Sequence, residues 1–173
     1  QTMSLIILLL ISANIIVAAP PRFTNIKCEV LDPSYCSYTQ CDLKITGRGI
    51  VALNVEARLL KGPFNNAKVN LSLWRKFNGF RPFMFNGTFD FCKFLLKPNK
   101  LSFQKIIMDS FVPNSNLNHT CPYEKEIVVR DLVFKEEFFR FMPLPSGEYQ
   151  LQLMAATDND WKTRVSVNIL LQE

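Results

Sequence analysis

From residue 24 onward the chain alternates apolar and polar positions with a period of two, the mark of half-buried β-strands. In residues 50–60 (IVALNVEARLL) Val51, Leu53, Val55, Ala57 and Leu59 fall on one face, and Asn54, Glu56 and Arg58 on the other, before Lys61-Gly62-Pro63 ends the run. Val69, Leu71 and Leu73 form the next inward set, with Lys68, Asn70 and Ser72 outward. Asn78-Gly79 lies between two aromatic-rich runs and is a strong hairpin signal. Pro82 behind it confines the returning strand to an edge or forces a bulge. Further on, Tyr149, Leu151, Leu153 and Ala155 alternate with Glu148, Gln150, Gln152 and Met154. After the Asp158-Asn159-Asp160 turn, Trp161, Thr163, Val165, Val167 and Ile169 alternate with Lys162, Arg164, Ser166 and Asn168. The spacing predicts a long terminal hairpin with one dry face. Shorter strands are expected over 24–30, 41–46, 88–95 and 127–134.

Two segments depart from this period. Residues 98–111 (PNKLSFQKIIMDSF) put Phe103, Ile106, Ile107 and Phe111 at helical spacing opposite Lys100, Gln104 and Asp109, with Pro98 suited to a first turn. The competing reading is a loop with scattered apolar residues. Residues 1–19 (QTMSLIILLLISANIIVAA) carry no charged side chain and end in small residues before Pro20, as an export signal does. Ser12 and Asn14 interrupt the run, which falls short of the roughly 20 apolar residues of a membrane span. A positive n-region is lacking, and Met3 is the expected natural start. A signal peptide over 1–19 and one domain over 20–173 are therefore expected. Eight or so strands and one short helix give an all-β, antiparallel sandwich of immunoglobulin-like kind.

Composition narrows the chemistry. The chain holds 20 Lys plus Arg against 15 Asp plus Glu, a net charge of +5. The basic residues form no run: Lys61, Lys68, Arg75, Lys76, Arg81, Lys93, Lys97, Lys100 and Lys105 are dispersed among the central elements. Nucleic acid is not an expected partner of such a protein in an extracellular setting. A basic rim near a membrane or an anionic headgroup suits the pattern, as does a merely soluble surface. Three N-x-S/T acceptors, at Asn70, Asn86 and Asn118, agree with export. The five cysteines contain no C-x-x-C pair, and His119 is the single histidine, so no zinc site or other metal centre is expected. In an oxidising compartment the cysteines read as two disulfides and one leftover thiol.

Catalytic constellations are absent. No G-x-S-x-G elbow accompanies His119, which sits inside a glycosylation acceptor beside Cys121. Glu136-Glu137 and Asp158/Asp160 read as solvated turns. Neither an enzyme nor a cofactor is expected. The aromatic load is the unusual feature: Phe77, Phe80, Phe83, Phe85, Phe89, Phe91 and Phe94 fall close together with Trp74, and Phe138, Phe139 and Phe141 form a second cluster. Such residues fill a solid sandwich core, or they line a cavity between splayed sheets. Periodicity does not separate the two.

Several segments carry a resemblance. FTNIKCEVLDPSYC at 23–36, C-x-L-K at 41–44, NGFRPFMFNGTFDFCKFL at 78–95, NHTCPY at 118–123 and PLPSGEY at 143–149 together resemble a large insect family of small secreted proteins of unknown function. That family is similar to the ML lipid-recognition superfamily, which includes the ganglioside activator protein, sterol-transfer proteins and CheB-type chemosensory proteins. The resemblance runs over roughly residues 23–170. It implies a sandwich whose sheets part around an acyl chain, sterol or other hydrophobic small molecule, presented to a membrane receptor or membrane surface. Cys36 stands outside the family's four cysteines. Cys28 and Cys41, on the first two strands around the DPSY turn, are expected to pair. Cys92 and Cys121 then close a second loop, leaving Cys36 free or intermolecular.

The expected cavity walls are Leu53, Val55, Leu71, Leu73, Phe83, Phe89, Phe91, Ile106, Phe111, Leu151, Leu153, Val165 and Val167. At about 0.8 kcal/mol per buried methylene, a chain of some 14–16 carbons gains on the order of 10 kcal/mol gross in such a site. A Lys or Arg at the open end is expected to pair an anionic headgroup. The alternative function is an extracellular protein ligand or receptor co-factor with a filled core.

Overall fold

A computed structural model of the chain describes residues 20–135, 138 and 144–172. The expected export segment 1–19, the pair Glu136-Glu137, Phe139 and Phe141 of the second aromatic cluster, and Pro143 lie outside the described residues. The strands are β1 (Arg22–Val30), β2 (Cys36–Gly47), β3 (Ile50–Leu59), β4 (Lys68–Lys76), β5 (Phe80–Asp90), β6 (Glu126–Val133), β7 (Gly147–Thr157) and β8 (Asp160–Leu171). Helices α1 (Phe91–Leu96) and α2 (Phe103–Phe111) and a 3-10 turn (Val112–Asn114) stand between β5 and β6. One antiparallel sheet has the order β1-β8-β7-β4-β5 and the other β2-β3-β6. The two face each other as an antiparallel β-sandwich.

The inward sets follow from alternation. Val69, Leu71 and Leu73 are buried on β4, and Leu53, Val55 and Ala57 on β3. Pro82 has both expected consequences: β5 is an edge strand, and its pairing with β4 slips between Ser72 and Trp74. Asn54 departs from the expected outward face and is buried. The β3–β6 pairing slips between Leu53 and Val55, and Asn54 Oδ1 accepts the Asp131 N–H at 2.9 Å while Nδ2 donates to Asp42 at 3.2 Å. The bulge leaves the Asp131 N–H without a strand partner, and the Asn54 amide supplies one from the inner side.

Two local readings change. The strand expected over 88–95 ends at Asp90, whose side chain accepts the Lys93 N–H at 2.9 Å and caps α1. The helix expected from Pro98 starts at Phe103, after Ser102 caps it by accepting the Lys105 N–H at 3.2 Å. That later start moves the buried face to Ile107 and Met108, leaving Ile106 half-buried.

Cys28–Cys41 ties β1 of the larger sheet to β2 of the smaller, and Cys92–Cys121 ties α1 to the segment before β6. By the chain-entropy argument each closure contributes roughly 3–4 kcal/mol. Cys36 is free and buried.

Candidate functional site

Inward side chains of the larger sheet shrink from one end to the other. Tyr149 pairs with Ile169; Leu151 lies between Leu73 and Val167; Leu153 lies between Leu71 and Val165; Ala155 lies between Val69 and Thr163. Volume per row therefore falls toward the end where α1 and α2 pack. At the full end, Phe23, Leu53, Val55, Leu132, Phe134, Val167 and Ile169 make a solid cluster. At the other end the sheets leave an apolar cavity of about 190 Å3.

Its walls come from both sheets and from the helical cap. Val69, Leu71, Leu153 and Ala155 form the floor, Leu59 and Ile127 the opposite sheet, and Phe91, Met108 and Phe111 the cap. Of the expected wall residues, Leu71, Phe89, Phe91, Phe111 and Leu153 line this space. The others lie elsewhere. Leu53, Val55 and Val167 belong to the solid cluster, with Leu151 and Val165 packed against it. Leu73 is fully buried further along β4, Phe83 packs on Tyr149 with ring centroids 5.8 Å apart, and Ile106 falls off the inner face of α2. Alternation marks such positions as inward, but it is blind to which rows are wide enough to touch. The dense phenylalanines divide similarly. Phe85 stacks on Phe103 at 4.2 Å and Phe89 meets Phe94 at 5.2 Å, so β5 uses its rings to seat the helices, while Phe77 is exposed.

The rim is polar and internally satisfied. Lys162, expected to face solvent, is buried because the β7–β8 pairing slips between Ala155 and Ala156 and turns it inward. Its ammonium donates to Asp160 at 2.8 Å and Asp32 at 3.0 Å and sits 4.0 Å from the Tyr35 ring centroid. Hydrogen bonding to Asp160 is the main cause that pushes the Lys162 amine upward. The Ser34 hydroxyl, then Lys162, hold the Asp32 carboxyl down at about 2. Tyr35 donates to Asp158 at 3.0 Å, Asn66 donates to the same carboxylate at 3.2 Å, and Thr157 donates to Asn66 at 2.6 Å. The Asp158-Asn159-Asp160 turn is thus exposed but fully engaged. Deeper in, Thr163 donates to the Glu29 carbonyl at 2.9 Å and Tyr123 to the His119 carbonyl at 2.5 Å. The Cys36 thiol faces this space with its titration pushed up by burial.

Sequence reasoning missed Tyr35, Cys36, Phe64, Met108 and Tyr123 as wall residues. Tyr35 and Phe64 lie outside any periodic run, so no pattern flagged them. Met108 follows from the helix phase once Ser102 is recognised as its cap. His119 is exposed, bonded through Nδ1 to the Thr120 carbonyl at 2.6 Å and stacked on Tyr123. Of the glycosylation acceptors, Asn86 and Asn118 are exposed; Asn70 is half-buried, its Nδ2 donating to Asn86 and Thr88 at 3.0 Å each.

Fold and site together define a small disulfide-bonded β-sandwich with an apolar cavity under a helical cap. The family model described as "Protein of unknown function (DUF1091)" matches residues 69–151, just under half of the chain. That stretch runs from β4 through both helices into β7, and so supplies the floor and cap of the cavity. No curated protein matches the chain. The family match brings no activity with it, and the likeness to lipid-recognition proteins rests on the residues quoted above.

Proposed function

We propose that the protein is an extracellular, non-enzymatic binder of a small, neutral, hydrophobic molecule held between its sheets. The observation that carries this reading is the cavity, bounded by apolar side chains and by polar ones whose hydrogen-bonding groups are already engaged. A space of about 190 Å3 exceeds the ~150 Å3 that takes up benzene and falls below the ~300–1,000 Å3 of drug-sized pockets. At about 30 Å3 per methylene, close to a water's share of the liquid, it holds roughly six carbons rather than the 14–16 expected from the sequence. Their burial contributes about 5 kcal/mol gross, before the ordering costs of binding. Lys162 already lies between two carboxylates, which favours an uncharged ligand over the anionic headgroup first expected. Two disulfides favour an oxidising compartment, and exposed Asn86 and Asn118 suit glycan attachment.

A homologous series of straight-chain alcohols tests the proposal. Affinity, read as a thermal shift of the secreted full chain, should rise about fourfold per carbon and level off near six or seven carbons. Native mass spectrometry of the same material should retain a small apolar molecule. An absence of any shift along the series, with no retained ligand, would overturn the binder in favour of a protein ligand or receptor co-factor.

A further inference from the structure

We propose that the turn joining α1 to α2 is a membrane-docking protrusion that places Leu96 and Leu101 in the interface of an anionic bilayer. Leu101 is 92% exposed and Leu96 70%. No packing in the folded chain accounts for two leucines held this far into water. Residues 91–104 carry Lys93, Lys97 and Lys100 and no acidic side chain. Lys93 reaches Asp90 at 3.3 Å, while Lys97 and Lys100 make no ion pair among the described residues. Aliphatic tips ringed by lysines match the two layers of an anionic membrane surface: the acyl boundary takes the leucines and the headgroups attract the ammonium groups.

The protrusion is built rather than slack. Asn99 Oδ1 accepts the Leu101 N–H at 3.2 Å, and the Asn99 carbonyl accepts the Ser102 N–H at 3.1 Å and its hydroxyl at 2.8 Å. Ser102 then caps α2, Asp90 caps α1, and Cys92–Cys121 fastens the base. Little backbone ordering remains to oppose docking. The inference stands independently of any ligand in the cavity.

The molecule supplies its own control. Ile45 and Ile50 are 75% and 47% exposed beside Lys44 and Arg48, at the β2–β3 hairpin. Leu59, at the other end of β3, packs toward the cluster that contains Ile107 and Met108 of α2. The isoleucine hairpin therefore sits at the end of the sandwich away from the helices.

The test is co-sedimentation of the full chain with phosphatidylcholine vesicles, either pure or containing about one-third phosphatidylserine. Wild type should partition onto the anionic vesicles, and more weakly as salt is raised from about 0.1 M to about 0.5 M. Leu96→Ser with Leu101→Ser should lower the partition coefficient about tenfold or more. Lys97→Glu with Lys100→Glu should lower it at least about 25-fold, at roughly fivefold per lysine, and abolish the preference for phosphatidylserine. Ile45→Ser with Ile50→Ser should leave it unchanged. Should the double leucine variant not fold, Leu101→Ser alone carries the test. No partition of wild type onto either vesicle, leucine variants that bind like wild type, or an equal loss in the isoleucine variant would each overturn the proposal.

Discussion

Ala155→Phe turns the cavity into a stability measurement. Ala155 lies on β7 between Val69 and Thr163, and all three line the open end. A phenyl ring added there points into about 190 Å3 of apolar space, more than the ~150 Å3 that accepts benzene. Cavity volume costs about 24 cal/mol per Å3, so complete filling has a ceiling near 4.5 kcal/mol. A single ring at imperfect fit, with its own rotamer freedom lost, should recover about 1–2 kcal/mol of that. For a domain of this size the gain corresponds to a rise in Tm of roughly 3–6 °C. Val55→Trp is the matched control, because Val55 belongs to the solid cluster and overpacking there should cost about 1–3 kcal/mol. Urea unfolding at unchanged m-value, with thermal melting, reads both. Alcohol-induced stabilisation should disappear in Ala155→Phe as the ring occupies the ligand's place. A fall in Tm for Ala155→Phe comparable to that of Val55→Trp would refute the reasoning, since it would mean that no space is there to fill.

Three further outcomes follow from the same geometry. Asn54→Ala removes the acceptor of the part-buried Asp131 N–H and should cost about 1 kcal/mol in urea unfolding; a neutral change would mean that water replaces the Asn54 amide at the bulge. Asp32 titrates at about 2 in the folded chain against an ordinary 3.8, so its contribution is present above pH 3.8 and lost as pH falls toward 2. The stability gap between wild type and Asp32→Asn should therefore close over that window in acid unfolding, and a gap that stays constant would contradict the Ser34 and Lys162 contacts. The Cys36 thiol, buried and pushed up in its titration, should resist iodoacetamide at neutral pH in the native protein and react on denaturation, as intact mass spectrometry will read; rapid native labelling would contradict its burial.

The strands were legible where one face is dry and the other wet. In the terminal hairpin a period of two fixes both element and register; the 50–60 run keeps that period in its sequence although Ala52 and Asn54, opposite Leu53 and Val55, are buried too. Both disulfides are as expected, but only the resemblance set Cys36 aside; with five cysteines, placement along the chain alone left the pairing open. The failures have particular causes. Phe91 continues the period-two phenylalanines of β5, and the switch to the helical three-residue step from Phe91 to Phe94 comes only at the Asp90 cap and is too short to stand out. Asn54 and Lys162 sit at slips in strand pairing, and a slip inverts the inside–outside rule locally. No count of apolar positions marks such slips in advance.

The cavity itself required a different reading of the same residues. Classed only as apolar, the inward positions of β7 look uniform. Taken by size they run Tyr149, Leu151, Leu153, Ala155, while β8 runs Ile169, Val167, Val165, Thr163 and β4 runs Leu73, Leu71, Val69. Antiparallel register stacks the small ends together, so three tapers add instead of cancelling. Sheets in a sandwich keep a separation near 10 Å, set here at the full end by the solid cluster, and the short side chains at the other end do not span it. The helices then close the gap from outside with Phe91, Met108 and Phe111, roofing the space without filling it. With leucine at 155 and isoleucine at 163, the same alternation, strand order and disulfides would leave a much smaller cavity, since about four added carbon-sized groups take up most of a space for roughly six. A pocket of this kind is thus encoded in the gradient of side-chain volume across paired strands, a quantity readable from sequence only once the register is known.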